Sequence, residues 1–241
     1  GEVMGHMLRG ANVGLMFMRQ VAMADDYSHV WVSDTIVDNR CFYSARGVME
    51  LVPLYLYHQE SDGSVVREVN LRAEFLQALG VEALPEEVLA YLYAVLHAPS
   101  YRARYAEFLR RDFPRIPLPR DAEQFHALAQ LGQELMALHL LRHPGLAHSP
   151  VKFPVAGSNT VEKGFPRYEA ESVWINKTQY FAGVCEAVWQ FQVGGYQVCD
   201  KWLKDRRGRT LSNAEVETYR KIVHALGETL RRMEALDEWL V

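Results

Sequence analysis

The spacing of hydrophobic positions changes along the chain from short apolar runs to helical stripes. Four short apolar runs come first, at residues 13–20, 29–37, 41–43 and 51–57. Turn signals at Asp38-Asn39 and Gly47 separate the runs, so they predict strands of a small, mostly antiparallel sheet. We expect residues 1–12 to be a linker or a vector-derived remnant, and the polar stretch 58–69 to be an exposed loop.

Further along, apolar residues recur at the three-to-four-residue spacing of amphipathic helices. Five segments follow this spacing, at about 71–79, 85–98, 100–110, 121–142 and 212–238. Asn70, Ser100 and Asp121 are candidate N-cap residues, and Gly80 stands where a left-handed residue ends a helix. The proline-rich stretch 112–119 predicts an extended strap between two of the helices.

Residues 143–164 are rich in Pro, Gly, Ser and Asn, and we interpret them as a connecting loop between two units. Residues 13–142 are then the sheet and helical part, and residues 165–241 are a second α/β part. Short strands are predicted in the second part near 167–169, 173–176 and 191–193. The predicted fold class is α+β: small, mostly antiparallel sheet regions flank a helical middle and long helices pack them together.

Composition narrows the class of protein. The 241 residues have a formal net charge of −4, which argues against a general polyanion binder. It leaves open a site-specific DNA-binding protein whose cations are concentrated on one face. No apolar run approaches the roughly 20 residues of a membrane helix, and no signal-peptide pattern opens the chain. Three cysteines without a CxxC spacing suggest a reducing, cytoplasmic setting.

The most basic stretch is Phe191–Arg209. A turn at Gly194-Gly195 precedes an amphipathic helix in which Val198, Trp202 and Leu203 are predicted to face inward. Five cations are predicted to face outward or to lie past the helix end: Lys201, Lys204, Arg206, Arg207 and Arg209. Such a run is often a solvated helix face. The glycine turn, the inward Trp and the basic exit together favour a surface that meets phosphate.

The sequence from Gly194 to Arg209 also resembles a segment in the target-recognition domains of adenine-specific DNA methyltransferases. More specifically, the chain resembles the C-terminal specificity domain of the single-polypeptide (type ISP) restriction–modification enzymes. Four further stretches carry the resemblance, in order: Val13–Gln20, Pro53–Tyr57, Tyr91–Tyr105 and Asp112–Pro117.

This resemblance implies sequence-specific recognition of double-stranded DNA. The expected partners are DNA and the methyltransferase, motor and nuclease domains of the same polypeptide. The resemblance assigns S-adenosylmethionine, ATP and Mg to the parent enzyme. We expect no cofactor and no catalysis in this chain alone, because the Asn-Pro-Pro-Tyr type motif and the glycine-rich cofactor loop of the methyltransferases do not occur in it.

Histidines are the main candidates for other chemistry. His139 and His143 have the i, i+4 spacing of zinc ligands, and His126 and His148 lie nearby in sequence. A helix-end role is the favoured interpretation, because the Glu of the His-Glu-x-x-His motif is absent. No metal site is therefore predicted, and a hydrolase using these histidines is the least favoured class.

The predicted base-reading element is Asn176–Tyr180, because Asn176, Lys177 and Gln179 carry donors and acceptors that suit base edges. A plain polar turn is the alternative. Further DNA-binding candidates, besides the five cations above, are Arg19, Gln20, Lys163, Arg167 and Tyr196. A stripe of tyrosines at 91, 93, 101 and 105 is interpreted as helix-packing core rather than a stacking platform.

One rival function stays open at this point. In that alternative, the helices of the chain serve chiefly to dock the catalytic domains of the parent, with DNA contact minor. The acidic overall balance supports it.

Overall fold

The computed structural model describes residues 2–22 and 26–240. Its first element is a helix, α1 (Glu2–Leu8), where we predicted a linker. The prediction was wrong because Met7 is buried and the segment is bonded to a strand. The Asn12 amide donates to the carbonyls of His6 and Tyr55 at 3.0 and 2.8 Å, and the Tyr57 amide donates to His6 Nδ1 at 2.9 Å.

The predicted antiparallel sheet is present and small. Strand β1 (Gly14–Met18) lies between β2 (Val30–Ser33) and β3 (Met49–Pro53) and is antiparallel to both. Residues 41–43 are not a strand, although Phe42 is buried.

Residues 58–69 depart from the predicted loop. They complete a hairpin of β4 (Tyr55–Gln59) and β5 (Val65–Val69). Nearly all of β5 is exposed, so its side chains show no alternation of buried and polar positions. That exposure hid the strand from the sequence pattern.

The helical middle follows the prediction more closely. It consists of α2 (Ala73–Leu79), α3 (Pro85–His97), α4 (Pro99–Arg104), α5 (Ala106–Leu109) and α6 (Ala122–His139). Asp121 caps α6 by accepting from the Gln124 amide at 2.8 Å, and Gly80 ends α2 in the left-handed conformation, as predicted. Asn70 and Ser100 cap nothing: Asn70 donates to the Pro53 carbonyl, and Ser100 lies inside α4.

A close contact between α3 and α6 forms the centre of the main core. A side chain at Gly132 would come within 1.9 Å of the Ala90 carbonyl oxygen, so only glycine allows the two helices to approach this closely. Tyr91, Tyr93 and Tyr101 are buried in this core, which confirms the packing interpretation of the tyrosine stripe.

The second unit follows the connecting segment, which contains one 3-10 turn, Pro144–His148. A three-stranded antiparallel sheet of β6 (Arg167–Glu169), β7 (Ser172–Trp174) and β8 (Tyr180–Ala182) begins it. Helix α7 (Glu186–Trp189), the hairpin of β9 (Gln192–Val193) and β10 (Tyr196–Gln197), and helix α8 (Val198–Lys204) follow.

The last helix, α9 (Asn213–Leu240), joins the two units. Near its start Tyr219 is fully buried in the second core, and near its end Asp237 accepts from the Ser100 amide at 3.0 Å. Ser212 and Glu215 form a capping box at its start: the Ser212 amide donates to Glu215 Oε2 at 3.0 Å and the Glu215 amide donates to Ser212 Oγ at 3.2 Å. The α+β fold class is confirmed.

Candidate nucleic-acid interface

The glycine turn before the basic helix fastens the second unit to the first. Gly194 and Gly195 have positive φ values of 57° and 81°. A Cβ at Gly195 would lie 2.3 Å from the Tyr43 carbonyl oxygen, and one at Gly194 would lie 2.1 Å from the Phe42 ring. Glycine is therefore required at both positions, because the backbone is left-handed and because residues 42 and 43 approach too closely for a side chain.

The inward face of helix α8 carries both fully buried and half-buried side chains. Cys199 and Leu203 are fully buried, while Val198 and Trp202, which we predicted to face inward, are half-buried. The Trp202 indole lies between the Tyr219 ring, 5.2 Å away, and the Arg206 guanidinium, whose carbon lies 3.5 Å from the indole centroid. Trp202 therefore anchors the helix at its edge rather than in the core.

The five cations of the basic stretch all have partners within the chain. Lys201 pairs with Asp205, and Lys204 lies 2.5 Å from Asp200. Arg206 and Arg209 both contact Glu215, at 3.3 and 3.2 Å, and Arg207 donates to the Phe165 carbonyl. Carboxylates therefore offset much of the positive charge that the sequence shows.

The predicted base-reading turn is built differently from our expectation. Asn176 and Gln179 are 3% and 0% exposed, so neither amide can reach a base. Asn176 Oδ1 accepts from the backbone amides of Thr178 and Gln179 at 3.0 and 2.8 Å. This bonding makes Asn176 the organiser of a tight turn. For these two residues the base-reading prediction was wrong.

Gln179 holds a second loop in place. Its Nε2 donates to the Val155 carbonyl at 3.0 Å and to Asn159 Oδ1 at 2.7 Å, and its Oε1 accepts from the Asn159 amide at 2.8 Å. A Cβ at Gly157 would come within 2.7 Å of the Gln179 amide carbon. The glutamine therefore fills the inside of the 155–159 loop. Lys177 and Thr178 remain exposed at the tip of the turn.

Three turns of the second unit meet at one surface. We call residues 156–164, 176–179 and 207–210 the three-turn surface. Backbone bonds join the first and third turns: Val161 donates to the Arg209 carbonyl at 3.0 Å, and Gly208 donates to the Val161 carbonyl at 2.8 Å. The Asn176 amide joins the second turn to the first by donating to the Thr160 carbonyl at 3.0 Å.

Exposed cations and hydroxyls outnumber the single exposed acid of this surface, Glu162. The exposed cations on it or beside it are Lys163, Arg167, Lys177, Arg207 and Arg209. The Thr160 and Thr210 hydroxyls lie 3.0 Å apart across the junction of the first and third turns. In the part of the chain that the structure describes, Lys163 and Lys177 make no ion pair or hydrogen bond through their side chains. The sequence named these cations one by one, but their grouping comes from contacts between distant turns.

The remaining candidates lie elsewhere. Arg19 is 3.6 Å from Asp112 and lies over the Phe113 ring, while Gln20 donates to the Arg111 carbonyl at 3.3 Å. Both side chains therefore contact residues 111–113, which follow α5, instead of the three-turn surface. Tyr196 is half-buried, with Lys201 Nζ 5.3 Å from its ring centroid.

Tyr196 also lines a cleft of about 550 Å³ between the two units. On the opposite side of the cleft, Trp31 stacks on His139 with ring centroids 3.6 Å apart. His139 Nδ1 bonds to the Tyr93 hydroxyl at 2.6 Å, and Nε2 bonds to the Thr229 hydroxyl at 2.9 Å. Burial holds the pKa of His139 well below its ordinary value. This histidine is a satisfied core residue with no nitrogen left for a metal.

Metal-binding and membrane-spanning features are both missing from the described residues, 2–22 and 26–240. No group of three or more His, Cys, Asp or Glu side chains is placed to hold a metal ion there. Within the same residues, no helix has the length and apolar content needed to cross a membrane.

Solved structures share this fold. A chain of the ATP-dependent Type ISP restriction-modification enzyme LlaBIII bound to DNA aligns with a TM-score of 0.71 and 18% identity, over 97% of this chain and 16% of that one. The DrdV–DNA complex aligns with a TM-score of 0.69 and 21% identity, over 95% and 25% of the two chains.

A nuclease-deletion mutant of the Type ISP enzyme LlaGI, in complex with a DNA substrate mimic, aligns with a TM-score of 0.66 and 19% identity. That alignment covers 95% of this chain and 21% of the LlaGI chain. The chain thus spans a quarter or less of the length of these three neighbours.

Among curated proteins, none matches the chain significantly. The sequence family described as the Type ISP C-terminal specificity domain matches residues 1–235, which is nearly the whole chain. The chain therefore belongs to the Type ISP C-terminal specificity domain family.

Proposed function

We propose that this chain is the target-recognition domain of a restriction–modification enzyme and that it binds double-stranded DNA through the three-turn surface. One observation carries the proposal: three turns, distant in sequence, bring five exposed cations together on or beside one surface. All three structural neighbours are in complexes with DNA or a DNA mimic, which supports the same function.

In this proposal the cations contact phosphates and fix the orientation of the domain on the duplex. Lys163, Arg167, Arg207 and Arg209 are the main phosphate contacts. Lys201, Lys204 and Arg206 act from α8 and its end, where carboxylate partners reduce the charge available to DNA, and Glu215 does the same for Arg209. Arg19, Gln20 and Tyr196 are secondary contacts on the first unit and at the cleft.

The parent enzyme supplies the chemistry. Family resemblance assigns it adenine-N6 methylation with S-adenosylmethionine, together with an ATP-dependent motor and a Mg-dependent nuclease in the cytoplasm. Any base flipping takes place in the methyltransferase domain. The specificity domain contributes position and sequence choice.

A second candidate function is docking of the catalytic domains, and the hairpin end of the first unit favours it. Between residues 59 and 87 there are seven acids and two arginines: Glu60, Asp62, Glu68, Glu74, Glu82, Glu86 and Glu87 against Arg67 and Arg72. Val65 and Val66 are 52% and 47% exposed there, and Leu84 is 65% exposed. An acidic surface with exposed aliphatic side chains suits a protein partner better than DNA.

Salt-dependent binding to random duplex DNA separates the two functions. Replacing Lys163 with Ala should weaken binding several-fold and reduce the salt slope by about one unit, because one phosphate contact is lost. Arg72→Ala is the matched control, since Arg72 is an exposed cation on the acidic end of the molecule. Equal losses in the two variants, or binding that does not respond to salt, would favour the docking function.

A further inference from the structure

The tip of the 176–179 turn presents two side chains in a fixed position. Asn176 Oδ1 accepts from the Thr178 backbone amide at 3.0 Å and from the Thr178 hydroxyl at 3.2 Å. Its Nδ2 donates to the Thr160 carbonyl and to Gln179 Oε1, both at 3.0 Å. Since both ends of the turn are buried and bonded, Lys177 and Thr178 are held on a rigid support.

The tip also lies next to the centre of the three-turn surface. Thr160 is bonded to Asn176 on one side and to Thr210 on the other, at 3.0 Å in each case. The chain runs from Thr160 to Lys163 within the first turn, and Arg209 directly precedes Thr210 in the third. The tip and the paired hydroxyls are therefore bordered by cations.

This arrangement separates two chemical roles. Flexible cations at the border are suited to phosphates, which lie at the edges of a groove. Short hydroxyl side chains at the centre allow the backbone to approach closely. A rigid tip can place a lysine and a threonine methyl against base edges, where lysine pairs with guanine O6 or N7 and threonine with a thymine methyl.

We infer that Lys177 and Thr178 are the specificity-determining side chains of this domain, which read base edges, and that Asn176 and Gln179 are positioning residues that hold them. The inference rests on the proposed DNA-binding function. It names a guanine as the base that Lys177 contacts, because its ammonium group has no partner among the described residues and guanine offers two acceptors in the major groove.

Selection from a pool of duplexes with a randomised core tests the assignment and requires no assumption about the recognised site. The purified chain is used to retain DNA at low salt, and the retained sequences are read for the wild type, Lys177→Ala, Thr178→Ser and Lys163→Ala. We expect a wild-type motif that contains a guanine. In Lys177→Ala that position should lose its preference by about tenfold or more, while the other positions keep theirs. Thr178→Ser removes the methyl group and keeps the hydroxyl that donates to Asn176 Oδ1, and it should weaken the preference at a different, neighbouring position.

The control variant, Lys163→Ala, should retain less DNA but select the same motif. A Lys177→Ala variant that retains less DNA but selects the wild-type motif would overturn the inference, because Lys177 would then be another phosphate contact. A wild-type chain that retains DNA without any motif would also overturn it, while leaving the proposed function in place. A wild-type chain that retains no DNA would overturn the proposed function itself, and the inference with it.

All three replaced side chains, Lys163, Lys177 and Thr178, are exposed, so the folded state of each variant is checked by its melting temperature, which we expect to match the wild type. A conservative variant tests the positioning role separately. Asn176→Asp keeps the acceptor for the turn but removes the donor to the Thr160 carbonyl and to Gln179 Oε1. The base preference should weaken at both motif positions, the one assigned to Lys177 and the one assigned to Thr178. If the base preference is unchanged at both positions, Asn176 does not hold the turn.

Discussion

Two polar stretches of the second unit, the 176–179 turn and the basic helix α8, were both predicted from sequence to contact DNA. The structure places their polar side chains in opposite environments. In the turn, two neutral amides are buried and bonded to backbone groups of a loop about 20 residues away. In and just after the helix, charged side chains lie at the surface and pair with carboxylates in the same segment or at the start of α9. The turn uses its polar groups for structure, and the helix keeps them near solvent.

The difference in environment decides what each stretch can do. A buried amide that loses its partner costs about 1–3 kcal/mol per unsatisfied group, so the turn cannot exchange its partners for DNA. An exposed ion pair contributes only about 0–1 kcal/mol, so a lysine of the helix can leave its carboxylate for a phosphate at little cost. The turn is therefore a rigid support, and the helix is an adjustable source of charge.

The largest predicted effect distinguishes these roles by stability. Gln179→Ala removes a side chain that makes two donor and two acceptor contacts inside the 155–159 loop and the turn. We expect a loss of about 3 kcal/mol in the free energy of unfolding, measured by urea denaturation. Lys201→Ala, which removes an exposed ion pair of α8, should change it by less than about 0.5 kcal/mol. Similar losses in the two variants would remove the contrast between rigid turn and adjustable helix.

The same contrast explains what sequence could and could not predict. Helix α6 was predictable because its cap, Asp121, and its apolar stripe are local signals. The glycine turn was predictable because only glycine adopts positive φ freely. The role of Gln179 was not, since its partners Val155 and Asn159 lie 24 and 20 residues away and a polar side chain carries no mark of what it will bond.

Nothing in the sequence indicates that the three turns meet. The cations are recognisable as candidates for DNA contact. Two of their carboxylate partners, Asp200 and Asp205, lie in the same stretch of sequence. The third, Glu215, lies outside it, and the local sequence there indicates a helix cap alone. Strand β5 was missed because its side chains are nearly all exposed, and exposure removes the alternation on which strand prediction depends.

A medium effect is predicted at Glu215, which joins the basic exit to α9. Its carboxylate accepts from the Ser212 amide at 3.0 Å and contacts both Arg206 and Arg209. Glu215→Gln should strengthen binding to random DNA several-fold, because two arginines lose their anionic partner. It should also lower the melting temperature slightly, since the capping box and the ion pairs weaken.

Gel shifts at low salt measure the change in affinity. Glu217→Gln is the matched control, because Glu217 lies two residues further along α9 and pairs with Arg220 instead. An unchanged or weaker DNA affinity in Glu215→Gln would mean that the arginines need Glu215 to hold them in position. Either result leaves the turn unaffected, since no charged group among the residues that the structure describes bonds to the Asn176 or Gln179 side-chain amides.

The smallest predicted effect is the response of the Glu215 capping box to low pH and to added salt. The bond from the Ser212 amide, aided by Arg209 and Arg206, lowers the pKa of Glu215 below its ordinary value. A lowered folded-state pKa means that the stabilisation is complete at neutral pH. It is lost as the pH falls from the ordinary value of 4.5 through the lowered one, because the unfolded state takes up the proton first.

The turn should not share this response, since the amides of Asn176 and Gln179 do not titrate. Hydrogen exchange compares the two regions in one sample. At about 0.5 M salt, where the Debye length is only a few ångströms, the Ser212 amide should exchange somewhat faster, while the Gln179 and Asn159 amides keep their protection. Mild acid should act in the same direction. Loss of protection in the turn under either condition would show that its neutral network depends on the charges around it, and the two stretches would then form one coupled structure.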